Sequence, residues 1–386
     1  MTFTSLALLV CVGLLGPALA AVPRWRIPVV VGEIAGGLLI GSSGLRLIDP
    51  TDHTLTFLAD IGFGLTMVLV GSRVPVRDPR IRSSIVRGAI GAAVVGAAGA
   101  VLAIALAAAF GTGHALLYGV ILSSSSAALV LPMLQSSGVD ARTTPQLVAQ
   151  IAIADVVCIV LLPLVMAPGR VPQIAIAGAI IGAIAALGAI LLRRAGRTDA
   201  RKRFHRFSEQ RAFALELRIS LLVLFGLAAI AQYASVSVMV AGFALGLMLA
   251  VIGEPRRLAR QLFGMTEGFF GPLFFVWLGA SLDLRELVAH PAMILLGLAL
   301  GVGAVVAHLA SRAAGLPWAQ AVASAGQLGV PVAAVTLGLE TNTLAPGEGG
   351  AILLGALVSV ATSAVSIAAV ARRQQVDGPA RATPAS

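Results

Sequence analysis

The sequence has few charged residues and few aromatic ones. Only 11% of its 386 residues are charged and 5% are aromatic, whereas 58% are hydrophobic. A soluble domain has about 25% charged residues, so this chain has too little polar material to cover a water-facing globule. The composition therefore excludes a soluble enzyme and predicts an all-α, polytopic membrane protein.

Cysteine is scarce, and the motifs of intramembrane or nucleotide-driven enzymes are missing. Cys11 and Cys158 each lie inside an apolar run, which leaves no disulfide framework and no paired-cysteine metal site. The chain has no HExxH or GxGD motif and no phosphate-binding loop, and its five histidines do not cluster at metal-ligand spacing. We therefore expect no enzyme activity, no cofactor and no direct use of ATP.

Apolar runs separated by charges, prolines and glycine clusters predict about 13 transmembrane helices. We place them at 3–21, 27–44, 54–72, 84–109, 114–136, 146–167, 172–192, 212–233, 236–252, 263–281, 290–312, 318–339 and 349–371. The first run ends in Ala-Leu-Ala-Ala, like a cleaved secretory signal. It lacks a basic start, so we favour a retained helix.

The positions of the basic residues test this helix count. All but four of the 27 lysines and arginines follow odd-numbered segments; the exceptions are Arg46, Arg170, Arg218 and Arg285. Because cytoplasmic loops are rich in positive charge, we predict an N-terminus outside the cell and a cytoplasmic C-terminus. The net charge of +10 then reflects loops on anionic lipid, and we expect no nucleic-acid partner.

Related features recur seven helices apart. Gly32 and Gly36 in the second segment correspond to Gly242 and Gly246 in the ninth. The fifth and twelfth segments are both interrupted, by residues 123–126 and by a Gly-Gln-Leu-Gly-Val-Pro stretch. Because an odd offset reverses orientation, these pairs indicate inverted repeats, which are typical of secondary transporters.

This symmetry gives a division of the chain. We predict one membrane domain, 1–386, with inverted repeats at roughly 1–167 and 212–371. Helix 172–192 and a basic cytoplasmic loop, 193–211, join the repeats, and a short polar tail occupies 374–386.

The sixth segment carries a single acid, Asp155, inside its apolar run. A charge at that depth costs about 2.5–3.5 kcal/mol and is rarely kept unless it faces a cavity or has a partner. A proton or a bound metal cation can each neutralise the carboxylate, and each excludes the other. Asp155 is therefore our candidate site for H⁺ and for a transported Na⁺ or K⁺. A hydrogen-bonded, purely structural Asp is the alternative.

The interrupted helices supply the oxygen ligands that a lone carboxylate lacks. Unwound backbone exposes carbonyl oxygens, and the hydroxyls of Ser124, Ser125 and Ser126 are hard donors suited to alkali cations. Gly326 and Gln327 of the second interrupted segment are candidate supporting residues, because an amide side chain can orient either element.

Three further titratable groups lie in apolar segments. His308 is either a supporting cation that pairs with Asp155 until an ion enters, or a packed neutral imidazole. Glu33 needs a partner at its depth, and Asp60 begins the third segment. We expect both acids to line a vestibule or an interface.

Four stretches of the chain carry a family resemblance. They are GEIAGGLLIGSSGL from Gly32, SSSSAALVLPML from Ser123, AIADVV from Ala152 and GPLFFVWLGASLDL from Gly271. Together these stretches resemble the bacterial monovalent cation:proton antiporters of the sodium/proton exchanger type, which include potassium-efflux relatives. The resemblance runs through nearly the whole chain.

The resemblance implies an inverted-repeat sodium/proton antiporter fold with two crossed broken helices, working as a homodimer by an elevator-like movement. It matches Asp155 to the ion-binding aspartate and Ser125 and Ser126 to polar residues of the crossed helix. His308 stands where the family has a stronger base, and Gln327 where it has a glutamate. Ala154 replaces a polar residue that often precedes the aspartate, which favours electroneutral exchange.

The sequence therefore predicts a secondary transporter that exchanges Na⁺ or K⁺ for H⁺ by alternating access across a bacterial plasma membrane. Two alternatives stay open: a sodium-coupled organic-anion symporter of related fold, and a non-transporting membrane sensor or assembly subunit. Cation flux driven by a pH gradient alone favours the antiporter. A sensor predicts that Asp155→Asn leaves function intact.

Overall fold

The structure is a computed structural model that describes residues 1–21, 29–74, 76–77, 79–136, 144–196, 214–234, 237–253, 256–282 and 284–377. Within these ranges the chain is helical apart from turns and short connections, which confirms the all-α prediction. Nine helices in this part of the chain are long and apolar enough to cross a membrane, and we treat the chain as a multi-pass membrane protein. Most of the loop 193–211 and the tail beyond residue 377 lie outside the described residues.

The helices are numbered here in chain order, and each of the thirteen predicted segments overlaps at least one of them. They are α1 (Phe3–Gly13), α2 (Leu15–Ala20), α3 (Val29–Ile40), α4 (His53–Ser72), α5 (Pro79–Phe110), α6 (Ala115–Ser123), α7 (Ala127–Ser136), α8 (Pro145–Met166), α9 (Val171–Gly196), α10 (Leu215–Tyr233), α11 (Val238–Ile252), α12 (Arg256–Met265), α13 (Gly271–Ser281), α14 (Leu284–Ala289), α15 (Pro291–Leu309), α16 (Trp318–Ala323), α17 (Gly329–Thr341) and α18 (Glu348–Asp377).

Several observed helices differ from the predicted segments. Helix α5 begins before residue 84, α18 extends beyond residue 371, and α14 lies in no predicted segment. Two further differences involve prolines. The first segment, 3–21, is two helices, because Pro17 has no N–H to bond the carbonyl of Gly13, where α1 ends. The tenth begins earlier than 263, at Arg256, and passes through a π-helical turn, Thr266–Phe270, before α13. Pro272 cannot donate to the carbonyl four residues before it, which favours the wider turn at this point.

The helices form two compact units. Unit 1 contains Met1–Arg77 and Ala167–Arg285, and unit 2 contains Asp78–Met166 and Glu286–Ser386. Each unit takes helices from both predicted repeats, so the spatial grouping does not follow a division of the chain at 193–211. The inverted relationship between 1–167 and 212–371 stays a prediction.

Glycines let the helices of unit 1 approach closely. A methyl group placed on Gly32 would lie 2.7 Å from the Cα atom of Gly16, and one on Gly246 would lie 2.8 Å from that of Gly71. No side chain fits at these distances. The glycine pattern read from the sequence therefore lies at helix crossings, as small residues in membrane helices do.

Unit 2 contains both interrupted helices, as the pairs α6–α7 and α16–α17. A buried apolar cluster joins α7, α8, the segment leading into α16, and α18; its largest members are Leu134, Leu147, Ile151, Leu316 and Ile367. This cluster holds the interrupted helices against α8, the helix that carries Asp155.

Candidate ion-binding site

The first interrupted helix breaks at Ser124–Ser126. The backbone at Ser124 is extended, with φ −77° and ψ 148°, so α6 ends there and α7 starts at Ala127. The carbonyl oxygen of Ile121 loses its helical partner and is instead bonded by the Ser124 N–H at 3.1 Å. The hydroxyl of Ser124 bonds the same carbonyl at 2.9 Å. Serine thus satisfies the backbone that the break leaves open.

The second interrupted helix breaks between Ala323 and Gly329, and the two breaks bond to each other. The Ser126 N–H donates to the carbonyl oxygen of Gly326 at 3.0 Å. The Ser125 hydroxyl donates to the carbonyl oxygen of Ser324 at 2.7 Å. These contacts confirm the predicted pair of crossed broken helices.

Gln327 reaches the first break through its side chain. Its Oε1 atom lies in hydrogen-bond contact with the hydroxyl of Ser124, and both side chains are buried. Five predicted residues, Ser124, Ser125, Ser126, Gly326 and Gln327, are therefore assembled in one place by direct hydrogen bonds.

Asp155 is on α8, and its side chain lies against the start of α7. Its Oδ2 atom accepts a hydrogen bond from the Ala127 N–H at 3.1 Å, and the residue is 1% exposed. Ala127 follows Ser126 directly, so the carboxylate lies beside the first break. The described residues give Asp155 no ion-pair partner, and the partial positive charge of a helix N-terminus is the electrostatic support that they do provide.

His308 contacts the same break from α15. Its Nδ1 atom donates to the carbonyl oxygen of Ala304 at 2.8 Å, because a carbonyl can only accept. Its Nε2 atom lies 3.1 Å from the Ser125 hydroxyl oxygen. Among the described side chains the imidazole forms no ion pair with Asp155, so the link between the two residues runs through the broken helix.

Apart from the imidazole of His308, the groups at the two breaks offer oxygen atoms as ligands. One of them, Asp155, is a carboxylate. No group of three His, Cys, Asp or Glu side chains in the described ranges could hold a metal ion. Hydroxyl, amide and backbone oxygens are therefore the candidate companions of Asp155 for a hard monovalent cation.

Residues 7–373 match the transmembrane sodium/hydrogen exchanger family. The chain belongs to this family. The match covers both units and every helix of the site, and it agrees with the resemblance carried by the sequence motifs.

Individual exchanger relatives agree with this assignment. The glutathione-regulated potassium-efflux protein KefC of Cronobacter sakazakii is 28% identical over 291 residues, which are 73% of this chain and 46% of KefC. The proposed Na⁺/H⁺ antiporter YjbQ of Bacillus subtilis is 24% identical over 385 residues, 92% of this chain and 61% of YjbQ. The chain thus spans about half to three fifths of these curated relatives.

A solved exchanger structure has the same fold. The sodium proton antiporter MjNhaP1 of Methanocaldococcus jannaschii superimposes with a TM-score of 0.57 over 97% of both chains, at 17% sequence identity. The likeness supports an antiporter-type arrangement of helices, in agreement with the fold predicted from sequence.

One buried polar cluster in unit 2 was not predicted from the sequence. Glu348, at the start of α18, is fully buried and accepts hydrogen bonds from Tyr118 Oη at 2.6 Å and from the Ala345 N–H at 2.8 Å. The Nδ1 atom of His114 lies 2.7 Å from its Oε1 atom. The available signal was His114 and Tyr118, four residues apart on one helix face, together with an acid at the start of an apolar helix.

Gln150 was also missed. It lies on α8 five residues before Asp155, and its Nε2 atom donates to the Ser324 hydroxyl at 3.3 Å. Its Oε1 atom is buried and has no hydrogen-bond partner among the described residues. The available signal was an amide one turn and one residue before Asp155, inside the apolar run of the same helix.

The remaining predicted acids belong to the other unit. Glu33 lies in α3 and Asp60 in α4, both in unit 1, and each lines a cavity of that unit. The structure does not add them to the cluster around Asp155.

Proposed function

We propose that this exchanger moves Na⁺ or K⁺ in one direction and H⁺ in the other, with Asp155 binding either ion in turn. The single observation that carries the proposal is the buried Asp155 carboxylate at the start of α7, beside two mutually bonded helix breaks. A carboxylate buried without a fixed cation needs a mobile positive charge, and a proton or a monovalent metal ion can each supply it.

The broken helices make both loaded states feasible. In the cation-loaded state, the hydroxyls of Ser125 and Ser126 and the exposed carbonyl oxygens replace water around the ion. In the proton-loaded state, the neutral carboxyl needs no such ligands. The empty site carries an unpaired buried charge, so its movement across the membrane is unfavourable, and this couples the two fluxes by alternating access.

Charge counting favours electroneutral exchange. Asp155 supplies one carboxylate, and Ala154 before it has no titratable side chain that could carry a second proton. One monovalent cation then replaces one proton, and no net charge crosses the membrane in a full cycle. The homodimer, the bacterial plasma membrane and the cytoplasmic C-terminus are parts of the same proposal that follow from the resemblance and the arginine distribution.

Purified protein in liposomes tests the proposal. An imposed pH gradient should drive Na⁺ or K⁺ uptake, followed with a pH-sensitive dye as each salt is added in turn. Asp155→Asn should abolish exchange, because an amide neither takes up a proton at these pH values nor carries the negative charge that binds a cation. Asp60→Asn, which removes an acid of unit 1, is the matched control and should keep it.

Clamping the membrane potential tests the stoichiometry. If exchange is electroneutral, setting the potential with valinomycin and K⁺ should leave the Na⁺-driven rate unchanged.

Exchange at the native rate by Asp155→Asn would overturn the assigned role of this residue. Flux that requires an organic anion would instead identify a symporter.

A further inference from the structure

Helix α18 donates two buried hydroxyl groups to α16, the first half of the second broken helix. The Ser363 hydroxyl oxygen lies 2.6 Å from the carbonyl oxygen of Ala323, and the Ser366 hydroxyl oxygen lies 2.7 Å from that of Ala319. Ser363 is 0% exposed and Ser366 is 4% exposed. The two bonds share their chemistry and join the same two helices, but they reach different parts of α16.

Ser363 bonds the carbonyl group that the break leaves open. Ala323 is the last residue of α16. In an uninterrupted helix its carbonyl oxygen would accept the N–H of residue 327, but the chain leaves the helix before that residue. The N–H of Gly326 reaches this oxygen only at 3.5 Å. Because a buried carbonyl without a donor is unfavourable, the Ser363 hydroxyl stabilises the interrupted backbone.

Ser363 also packs against the other side of the same break. A methyl group placed on Gly326 would lie 2.7 Å from the Ser363 hydroxyl oxygen and 2.9 Å from its Cβ atom. The stretch between these two contacts supplies the acceptors of the first break. The Ser324 carbonyl accepts the Ser125 hydroxyl, and the Gly326 carbonyl accepts the Ser126 N–H. Ser363 therefore holds the backbone to which the first break bonds.

Ser366 makes the same kind of bond away from the break. Ala319 lies one turn before the end of α16, inside the helix. Removing the Ser366 hydroxyl therefore weakens the contact between α18 and α16 without touching residues 323–326. The two serines allow the position of the break to be separated from the stability of the helix pair.

We propose that Ser363 is a positioning residue of the ion site. By holding Ala323 and Gly326, it fixes the direction of the Ser324 carbonyl, and this carbonyl fixes the hydroxyl of Ser125, the assigned cation ligand. Ser363 thus sets cation affinity without contacting the ion. Its effect on transport rests on the proposed function, whereas its effect on the second break does not.

The cation dependence of exchange in liposomes tests the proposal. Ser363→Ala should raise the KM for Na⁺ or K⁺ about two- to fivefold and lower the maximal rate less, because the ligand stays but its direction is no longer fixed. Ser366→Ala is the matched control and should keep the wild-type KM. A purely structural role of Ser363 predicts that both variants lose unfolding temperature alike and keep the same KM.

A double variant shows whether Ser363 acts through Ser125. In Ser125→Ala the contact with the Ser324 carbonyl is already lost, so adding Ser363→Ala should raise the KM no further. Two independent sites would instead multiply their fold-changes. A KM equal to that product would overturn the proposed route.

Hydrogen exchange of the purified full chain gives a measurement that needs no transport. The amides of residues 324–328 should exchange faster in Ser363→Ala than in wild type or Ser366→Ala, because the break opens locally more often. Unchanged exchange at residues 324–328 would overturn the proposal, and so would a wild-type KM in Ser363→Ala. If wild type moves no cation against H⁺, the proposed function fails, and hydrogen exchange alone decides whether Ser363 positions the break.

Discussion

Ser125 has one hydroxyl proton and two neighbours able to accept it. The carbonyl oxygen of Ser324 lies 2.7 Å away, and Nε2 of His308 lies 3.1 Å away. Since Nδ1 of His308 already donates to Ala304, a neutral imidazole leaves Nε2 as an acceptor that competes for the Ser125 proton. A charged imidazole would donate to Ser125 instead. The direction of the Ser125 hydroxyl is therefore coupled to the protonation of His308.

Replacing Ser125 tests its role as an oxygen ligand. Ser125→Ala should raise the KM for the transported cation about three- to tenfold, the range expected for the loss of one modest polar contact. The maximal rate should fall less, since Asp155 is intact. Ser359→Ala is the control, because Ser359 is equally buried and bonds only the Ala356 carbonyl of its own helix. Initial rates of dye dequenching against cation concentration measure the effect, and an unchanged KM in Ser125→Ala would contradict the assignment.

A functional residue could be predicted from the sequence where placing its polar side chain in the membrane costs free energy. Asp155 stood out because an acid in an apolar run requires a reason, and the serine run stood out because it interrupts a helix. Glu348 escaped notice because it lies at a helix start, where acids are common and inexpensive. Only the fold shows that this position is buried beneath His114 and Tyr118.

Helices were predictable from their apolar runs, but their internal breaks were harder to locate. The interruptions of the fifth and twelfth segments follow from polar and glycine residues, which the sequence displays. The division of the first segment and the π-helical turn at Thr266–Phe270 depend on which carbonyls Pro17 and Pro272 leave unbonded. A proline can lie in the first turn of a helix, or it can cause a kink or a π-helical turn inside one. The packing of neighbouring helices decides which of these forms.

The second break depends on a glycine at one position and tolerates a side chain at another. A methyl group at Gly326 would lie 2.7 Å from the Ser363 hydroxyl oxygen and 3.1 Å from a methyl carbon of Val130. Gly326→Ala should therefore destabilise unit 2 by about 1–3 kcal/mol, as overpacking in a core does, and lower the unfolding temperature.

Gly329 is the matched control for this prediction. No heavy atom lies within 4 Å of a methyl group placed there, and Gly329 begins α17. Gly329→Ala should keep the native unfolding temperature or raise it slightly, because alanine favours a helix more than glycine does. Differential scanning fluorimetry of the two variants in detergent measures the contrast, and equal losses of stability would contradict it.

At the scale of the whole molecule, the distribution of arginine predicts the orientation. A fluorescent protein fused after Arg211 or after Arg373 should fluoresce, because both positions follow odd-numbered segments that end in the cytoplasm. Alkaline phosphatase fused after Gly347 should be active, because this position follows the twelfth segment. Fluorescence after Gly347 together with phosphatase activity after Arg211 would reverse the assignment.

The grouping into two units was beyond the reach of the sequence. Apolar runs show where helices lie, and repeats suggest which helices correspond, but neither says which helices pack together. Asp155 and Gln327 come from opposite halves of the chain, and both contact the break at residues 124–127 in unit 2. That meeting rests on hydrogen bonds between distant residues, which no local pattern contains.

The contact between Ser124 and Gln327 joins residues 203 positions apart in the chain. At a synthesis rate of about 5–20 residues per second, the ribosome needs about 10–40 s to make the intervening segment. During that interval the Ser125 hydroxyl and the Ser126 N–H lack the carbonyl oxygens of Ser324 and Gly326, to which they donate in the folded chain. We therefore expect these two polar groups to hydrogen-bond water or lipid headgroups until the second broken helix has been made.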